Sequence, residues 1–170
     1  MEDILCTEFI NQSIKRINQS TDKITTCMRE LDEKDVWFSP NEHLNSIGNL
    51  ILHLCGNIRQ HVISALGGVM DIREREFEFS ARKDFTNVEL IKKLQETASQ
   101  AVDIIQNLQR EDLLRKRMAQ GASYSGVDSI IHVTEHYSYH TGQIILLTKL
   151  YKNIDMAFYA GVDLNKRNES

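Results

Sequence analysis

The spacing of apolar residues constrains this chain more than any other feature, because it is helical for almost the whole length. Within residues 10–31 the apolar seam advances by alternating steps of four and three residues, and similar stripes occupy residues 47–65, 91–108 and 133–150. Such a repeat keeps one face of an α-helix apolar. One proline, Pro40, and eight glycines are all that could interrupt the helices. The sequence therefore predicts an all-α protein with four long helices.

Capping residues set the limits of these predicted helices. Ser46 can cap the second helix, and the glycines at 67–68 can end it. Thr86, with Glu89 three residues later, has the spacing of a capping box for the third helix. In chain order, the predicted helices span about residues 3–31, 47–66, 86–108 and 128–151.

The helices are expected to form one domain that covers residues 1–170. Each apolar stripe needs partners to leave water, and four amphipathic helices supply them to one another in a four-helix bundle. Residues 69–85 read as a charged connection, and residues 109–127 read as a loop with a short extended piece. No internal repeat or domain linker is visible. We expect an up-and-down order of the helices or a variant of it.

The composition argues against several classes of protein. Hydrophobic residues make up 41% and charged residues 26%, as in ordinary globular domains, so neither disorder nor a fibre is indicated. A net charge of −4 gives no electrostatic reason to bind nucleic acid or an anionic membrane. No apolar run approaches the ~18 residues of a membrane span, and the acidic first residues lack a signal-peptide pattern. A cytoplasmic protein is expected.

The cysteines give no sign of a disulfide framework. Cys6, Cys27 and Cys55 are odd in number, lie far apart and form no CxxC pair. Free cysteine commonly behaves as a small hydrophobic residue. We therefore expect buried or unreactive thiols.

Three of the six histidines recur at four-residue intervals in the fourth predicted helix, at His132, His136 and His140. Residues four apart on a helix lie roughly 6 Å apart along its axis, so two such imidazoles can share one metal ion. His132 and His140 are about 12 Å apart by the same rise, so all three cannot share it. The register favours the pair His136 and His140, which lies on the same stripe as Val133 and Leu147.

A further ligand should come from another helix, and the second predicted helix offers His53 and His61. His53 falls on the flank of the apolar stripe, and His61 lies nearer its centre but two turns further along. Spacing alone leaves the two nearly equal. His132 is expected to lie outside the ligand set, beside the metal or in a hydrogen bond.

Two segments carry a resemblance to a known family. SIGNLILHLCGNIRQHVISALGG (46–68) and HVTEHYSYHTGQIILLTKL (132–150) resemble the DinB-like superfamily of bacterial four-helix metalloproteins, in particular a branch without an assigned activity. The resemblance implies one divalent metal ion, nickel or zinc, held by His53, His136 and His140. It therefore favours His53 over His61. It also implies a bundle with the connection order of that superfamily and a homodimer that pairs through helix faces.

Two positions depart from the pattern of the superfamily. Many relatives have arginine where this chain has Thr141, and many have tryptophan at the position of His61. Several better understood members are thiol-dependent, and use bacillithiol or mycothiol in S-transfer or in the isomerisation of maleylpyruvate. The resemblance thus implies a small-molecule thiol and an electrophilic substrate.

Three functional hypotheses follow from these observations. The first is a metal-dependent enzyme of the S-transferase type, with a metal-dependent hydrolase as its nearest enzymatic rival. The second is a bundle with a structural metal, and the third is an interaction protein without chemistry. Cys55 should point about 200° away from His53 around its helix and is a poor nucleophile. Asn57, Gln60 and Gln143 are expected to border the pocket.

Overall fold

In a computed structural model, which describes residues 3–168, most of the chain is helical. In chain order the elements are α1 (Ile4–Arg29), α2 (Glu33–Val36), α3 (Ile47–Ile58) with a π-helical continuation (Arg59–Ser64), α4 (Arg75–Ser80), α5 (Asn87–Gln106), α6 (Arg110–Leu114), β1 (Lys116–Ala119), β2 (Ala122–Ser125) and α7 (Gly126–Lys152). The long helices α1, α3, α5 and α7 are the four that the sequence predicts. The prediction of an all-α four-helix bundle is therefore confirmed.

The helices are arranged so that consecutive long helices are not always neighbours. Helix α1 packs against α5 and α7, and α3 packs against the same two helices. Hence α1 and α3 lie diagonally opposite, as do α5 and α7. The connections between diagonal helices must cross one end of the bundle. The first of them contains α2, and the second contains α6 and the β-hairpin.

Contacts at the helix ends give the chain directions. Lys152 at the end of α7 lies 3.1 Å from the Asp32 carboxylate, just beyond the end of α1, so α1 and α7 are parallel. Both α3 and α5 begin beside Trp37. Gly48, in the first turn of α3, lies against the Trp37 ring. The Trp37 indole nitrogen donates to the carbonyl of Phe85, just before α5. Helices α3 and α5 therefore run parallel to each other and opposite to α1. The simple up-and-down order is wrong, because the seams determine which faces are buried but not which helices are neighbours.

The apolar seams meet in one core. Ile17 and Ile24 of α1 and Ile144 of α7 are fully buried, and Thr21 joins these helices through a 2.7 Å hydrogen bond to the Tyr137 hydroxyl. That bond satisfies two polar groups that would otherwise weaken the core. The last turn of α7 departs from the predicted stripe, since the Leu150 side chain is 66% exposed.

The second diagonal connection contains the expected extended piece. Strands β1 and β2 pair antiparallel, with Lys116 opposite Ser125 and Ala119 opposite Ala122. Gln120 and Gly121 both have positive φ angles at the turn. This backbone conformation favours glycine and is typical of the two-residue loop of a β-hairpin. No helix within residues 3–168 has the length and hydropathy that a membrane span needs.

The parallel direction of α3 and α5 determines how the histidine region is covered. A connection between parallel neighbours has to return along the length of the bundle, and residues 65–86 do so. This return connection carries α4, which packs on α3. It thereby brings a charged segment of the sequence against the face of α3 that holds His53.

Candidate metal centre

Three imidazoles from two helices converge in the structure. His53 of α3 faces His136 and His140 of α7, and one ring nitrogen from each lies within 4.8 Å of the others. The Nε2 atom of His136 is 3.1 Å from Nε2 of His53 and 3.2 Å from Nε2 of His140. Residues four positions apart lie on the same side of a helix, so one residue of α3 can meet both His136 and His140 on the neighbouring α7.

The hydrogen-bond partners of the outer nitrogens orient two of the rings. His53 Nδ1 lies 2.9 Å from the Glu78 carboxylate, and an ionised carboxylate only accepts, so Nδ1 carries the hydrogen. His140 Nδ1 donates likewise to the Gln143 side-chain oxygen at 2.7 Å. In the neutral imidazoles, the Nε2 lone pairs of His53 and His140 therefore point inward, towards His136.

This donor set fits a transition-metal ion. For a tetrahedral ion with metal–nitrogen bonds of about 2.0 to 2.1 Å, the nitrogens lie about 3.3 to 3.4 Å apart. The two observed separations at His136, 3.1 and 3.2 Å, are close to that value. Without an ion, a hydrogen on His136 Nε2 can bond to only one of the two inward lone pairs, so the other lone pair is left without a donor. Three imidazoles suit zinc, nickel, copper and iron.

Glu78 is supported by an arginine from the same return connection. Arg73 donates from Nε to Glu78 Oε1 at 2.7 Å and from Nη2 to Oε2 at 2.9 Å. Its Nη1 donates to Gln60 at 2.9 Å, which fixes the guanidinium. Burial alone raises the pKa of Glu78, but the bonds from Arg73 and His53 outweigh it and lower that pKa. The carboxylate is therefore charged at neutral pH.

Burial favours the neutral forms of His136 and His140. Burial, together with the neighbouring His140 and His53, lowers the pKa of His136 to about 3. Burial also lowers the pKa of His140. A neutral imidazole is the form that ligates a metal, so both residues are ready to bind at pH 7.

A second pair of histidines lies further along the contact between α3, its π-helical continuation and α7. His132 Nε2 lies 3.1 Å from the Asn57 amide, and the ring centroids of His132 and His61 are 4.3 Å apart. His61 lies in the π-helical segment and is fully buried, and burial with the neighbouring His132 lowers its pKa to about 4. The structure thus places His132 and His61 beside the three-histidine cluster and outside it.

Other residues that the sequence singles out lie as follows. Gln143 borders the cluster directly, whereas Gln60 reaches it only through Arg73. Thr141 is buried and donates to the Tyr137 carbonyl on the core side of α7. Cys55 is buried on another face of α3, and burial raises its pKa to about 11.

Sequence reasoning missed the groups that orient His53. It read residues 69–85 as a charged connection and assigned no role to Arg73 or Glu78. It also missed Gly56, where a Cβ atom would lie 1.8 Å from Glu78 Oε1. The signal available in the sequence is the position of Glu78 between two aromatic residues, Phe77 and Phe79, within the charged connection.

Comparisons with known proteins give a family and a fold. A protein family described as "Protein of unknown function (DUF1572)" matches residues 5–160. The DinB-like protein YjoA from Bacillus subtilis has 16% identity and a TM-score of 0.66, over 87% of this chain and 96% of that one. A DinB-like protein from Bacillus cereus ATCC 10987 has 13% identity and the same TM-score, over 82% and 90%. No curated protein matches the chain. The chain has the DinB-like fold.

Proposed function

Because this chain belongs to the DUF1572 family, whose description gives no activity, we propose a function from the site: binding of one divalent metal ion by His53, His136 and His140. The observation that carries this proposal is the convergence of three Nε2 atoms, two of them with lone pairs turned inward by Glu78 and Gln143. A histidine that donates its other ring nitrogen to a carboxylate is a recurring feature of metal sites.

We further propose that the site serves a thiol-dependent transferase that joins a low-molecular-weight thiol to an electrophile. When bound, the ion would lower the pKa of a thiol or of a water molecule that coordinates it. Three protein ligands leave a position for such a molecule, as in catalytic rather than closed structural sites. The three imidazoles bring no negative charge, which favours an anionic partner such as a thiolate.

The chain's own groups favour an external thiol over water as the nucleophile. One class of metal-dependent hydrolase uses a carboxylate to accept the proton of the attacking water, and Glu78 is the carboxylate that contacts the cluster. Glu78 is bound by Arg73 and His53 and has a lowered pKa, so it is a poor proton acceptor. Cys55 is buried with a raised pKa and cannot replace a small-molecule thiol.

Aromatic side chains flank the cluster on two sides. The Phe79 ring centroid lies 4.8 Å from that of His53, and the Tyr139 centroid lies 5.0 Å from that of His140. Tyr139 is exposed, so it can offer an apolar surface to a substrate that arrives from solvent. In the proposed reaction these rings orient the electrophile, and Gln143 holds the His140 ring in place.

A structural ion is the second candidate, and one observation favours it. The three histidines come from two antiparallel helices, so a shared ion would clamp α3 to α7. An ion with this role alone would raise thermal stability and would not respond to thiols.

A transferase assay separates these possibilities. Metal-loaded protein is mixed with 1-chloro-2,4-dinitrobenzene and a series of thiols that includes bacillithiol and glutathione, and product absorbance is followed. The proposal predicts turnover that needs both metal and one thiol and that is lost in His136→Ala. Turnover of ester substrates that needs metal but no thiol would support hydrolysis instead. Metal-dependent stability without turnover would support the structural role.

A further inference from the structure

A cavity of about 370 Å³ lies between α3, α5 and the return connection, apart from the three histidines. Small-molecule pockets commonly have volumes of about 300 to 1,000 Å³. Arg73 and Glu78 line this cavity, and Glu78 also contacts His53. The Arg73–Glu78 pair therefore forms a wall between the cavity and the histidine cluster.

The charged groups around the cavity are mainly basic. Arg59, Arg73 and Lys93 face two acidic residues, Glu74 and Glu78. Glu78 is fully occupied by Arg73 and His53, so it does not neutralise the other two cations. The cavity is left with an excess of positive charge.

Two of these cations lack an acidic partner among the described residues. Neither Arg59 nor Lys93 forms an ion pair with any residue in the described part of the chain. The Arg59 Nε atom is also buried without a hydrogen-bond partner among residues 3–168. The Arg59 guanidinium and the Lys93 ammonium are therefore both available to an anionic ligand.

Aromatic rings form part of the apolar lining. Phe77 and Phe85 meet edge to face with centroids 6.3 Å apart, and the Lys93 ammonium lies 5.7 Å from the Phe85 centroid. The Trp37 indole donates to the Phe85 carbonyl at 3.0 Å and fixes the backbone there. A flat apolar group could pack against these rings while its charge reaches the cations.

We propose that this cavity binds a small organic anion whose charged group is held by Arg59 and Lys93. The aromatic or apolar body of the ligand packs against Phe77 and Phe85. The site is separate from the histidine cluster, so a ligand here acts without touching the proposed metal.

Calorimetric titration with 4-phenylbutyrate tests this proposal on the full chain. We expect saturable binding, and binding at least about tenfold weaker for the neutral analogue 4-phenyl-1-butanol. Arg59→Gln and Lys93→Gln should each weaken 4-phenylbutyrate binding by about tenfold. His136→Ala should bind it as the unaltered chain does, which separates this test from that of the metal.

Two matched variants control for general charge effects. Lys92→Gln changes the neighbouring exposed lysine, which pairs with Glu96, and should leave binding unchanged. Arg110→Gln changes a cation beside a different apolar hollow, which Phe9 and Leu113 line. Equal binding of the acid and the alcohol, unchanged binding in Lys93→Gln, or loss of binding in Arg110→Gln would each overturn the proposal. Lys93 is exposed, so its variant is expected to fold.

Discussion

The Nδ1 atom of His53 lies 2.9 Å from the Glu78 carboxylate, although the two residues are 25 positions apart in the chain. The contact exists because α3 and α5 are parallel and the connection between them returns over α3. It sets the tautomer of His53 and thereby directs the Nε2 lone pair towards His136. The folding topology and the metal chemistry are linked through this pair.

The first prediction concerns Glu78→Gln, which keeps the size of the side chain and removes its charge. We expect the affinity for a divalent metal to fall about 10- to 100-fold, because the carboxylate raises the basicity of the His53 ring. Titration against a chromogenic chelator measures this affinity. Glu74→Gln, in the same segment but without a bond to His53, is the control. Equal affinity of the two variants would show that Glu78 does not support the site.

The second prediction concerns Gly56→Ala. The new Cβ atom would lie 1.8 Å from Glu78 Oε1, so the carboxylate has to move away from His53. We expect weaker metal binding and a lower melting temperature. Gly142→Ala on α7 is the matched control, since its Cβ atom meets nothing within 4 Å. That change should raise the free energy of unfolding by about 0.5 to 1 kcal/mol. A Gly56→Ala chain that behaved like the Gly142→Ala chain would contradict the prediction.

The third prediction is that the metal-free protein loses stability in acid. Burial lowers the pKa of His61 to about 4, so between its ordinary value near 6.5 and that value the unfolded chain binds more protons than the folded chain. The free energy of unfolding therefore falls as the pH drops through this window. His61→Phe should reduce the fall, and His43→Gln, at an exposed position, should leave it unchanged. Urea titrations at a series of pH values measure the free energy of unfolding. Identical pH profiles for His61→Phe and the unaltered chain would count against the prediction.

The sequence predicted the four helices because each carries a periodic apolar stripe, and the α1 seam through Ile17 and Ile24 is buried. It also favoured the pairing of His136 with His140, since register along one helix is a local property. The approach of Glu78 could not be predicted in this way. It depends on the path of the return connection, which neither periodicity nor capping encodes. Leu150 lies on the predicted stripe, but its side chain is exposed. Periodicity shows which side of a helix is apolar and does not show how far the neighbouring helices extend.

The fourth prediction is a homodimer. The seams of α1 and α5 are buried in the chain's own core, but α7 exposes Leu146 and Leu150. Residues four positions apart lie on the same side of a helix, so these two side chains form one apolar patch. Light scattering should give twice the chain mass of 19.6 kDa, and Leu146→Glu should give the single mass. The monomer mass for the unaltered chain at micromolar concentration would contradict this prediction.

The metal content of four histidine variants tests the central claim most directly. The chain and its His53→Ala, His136→Ala, His140→Ala and His132→Ala variants are loaded with zinc or nickel, desalted and analysed by mass spectrometry of the elements. We predict one ion per chain for the unaltered protein and for His132→Ala, and near-complete loss in the other three. Loss of metal from His132→Ala with retention in His140→Ala would contradict the proposed ligand set.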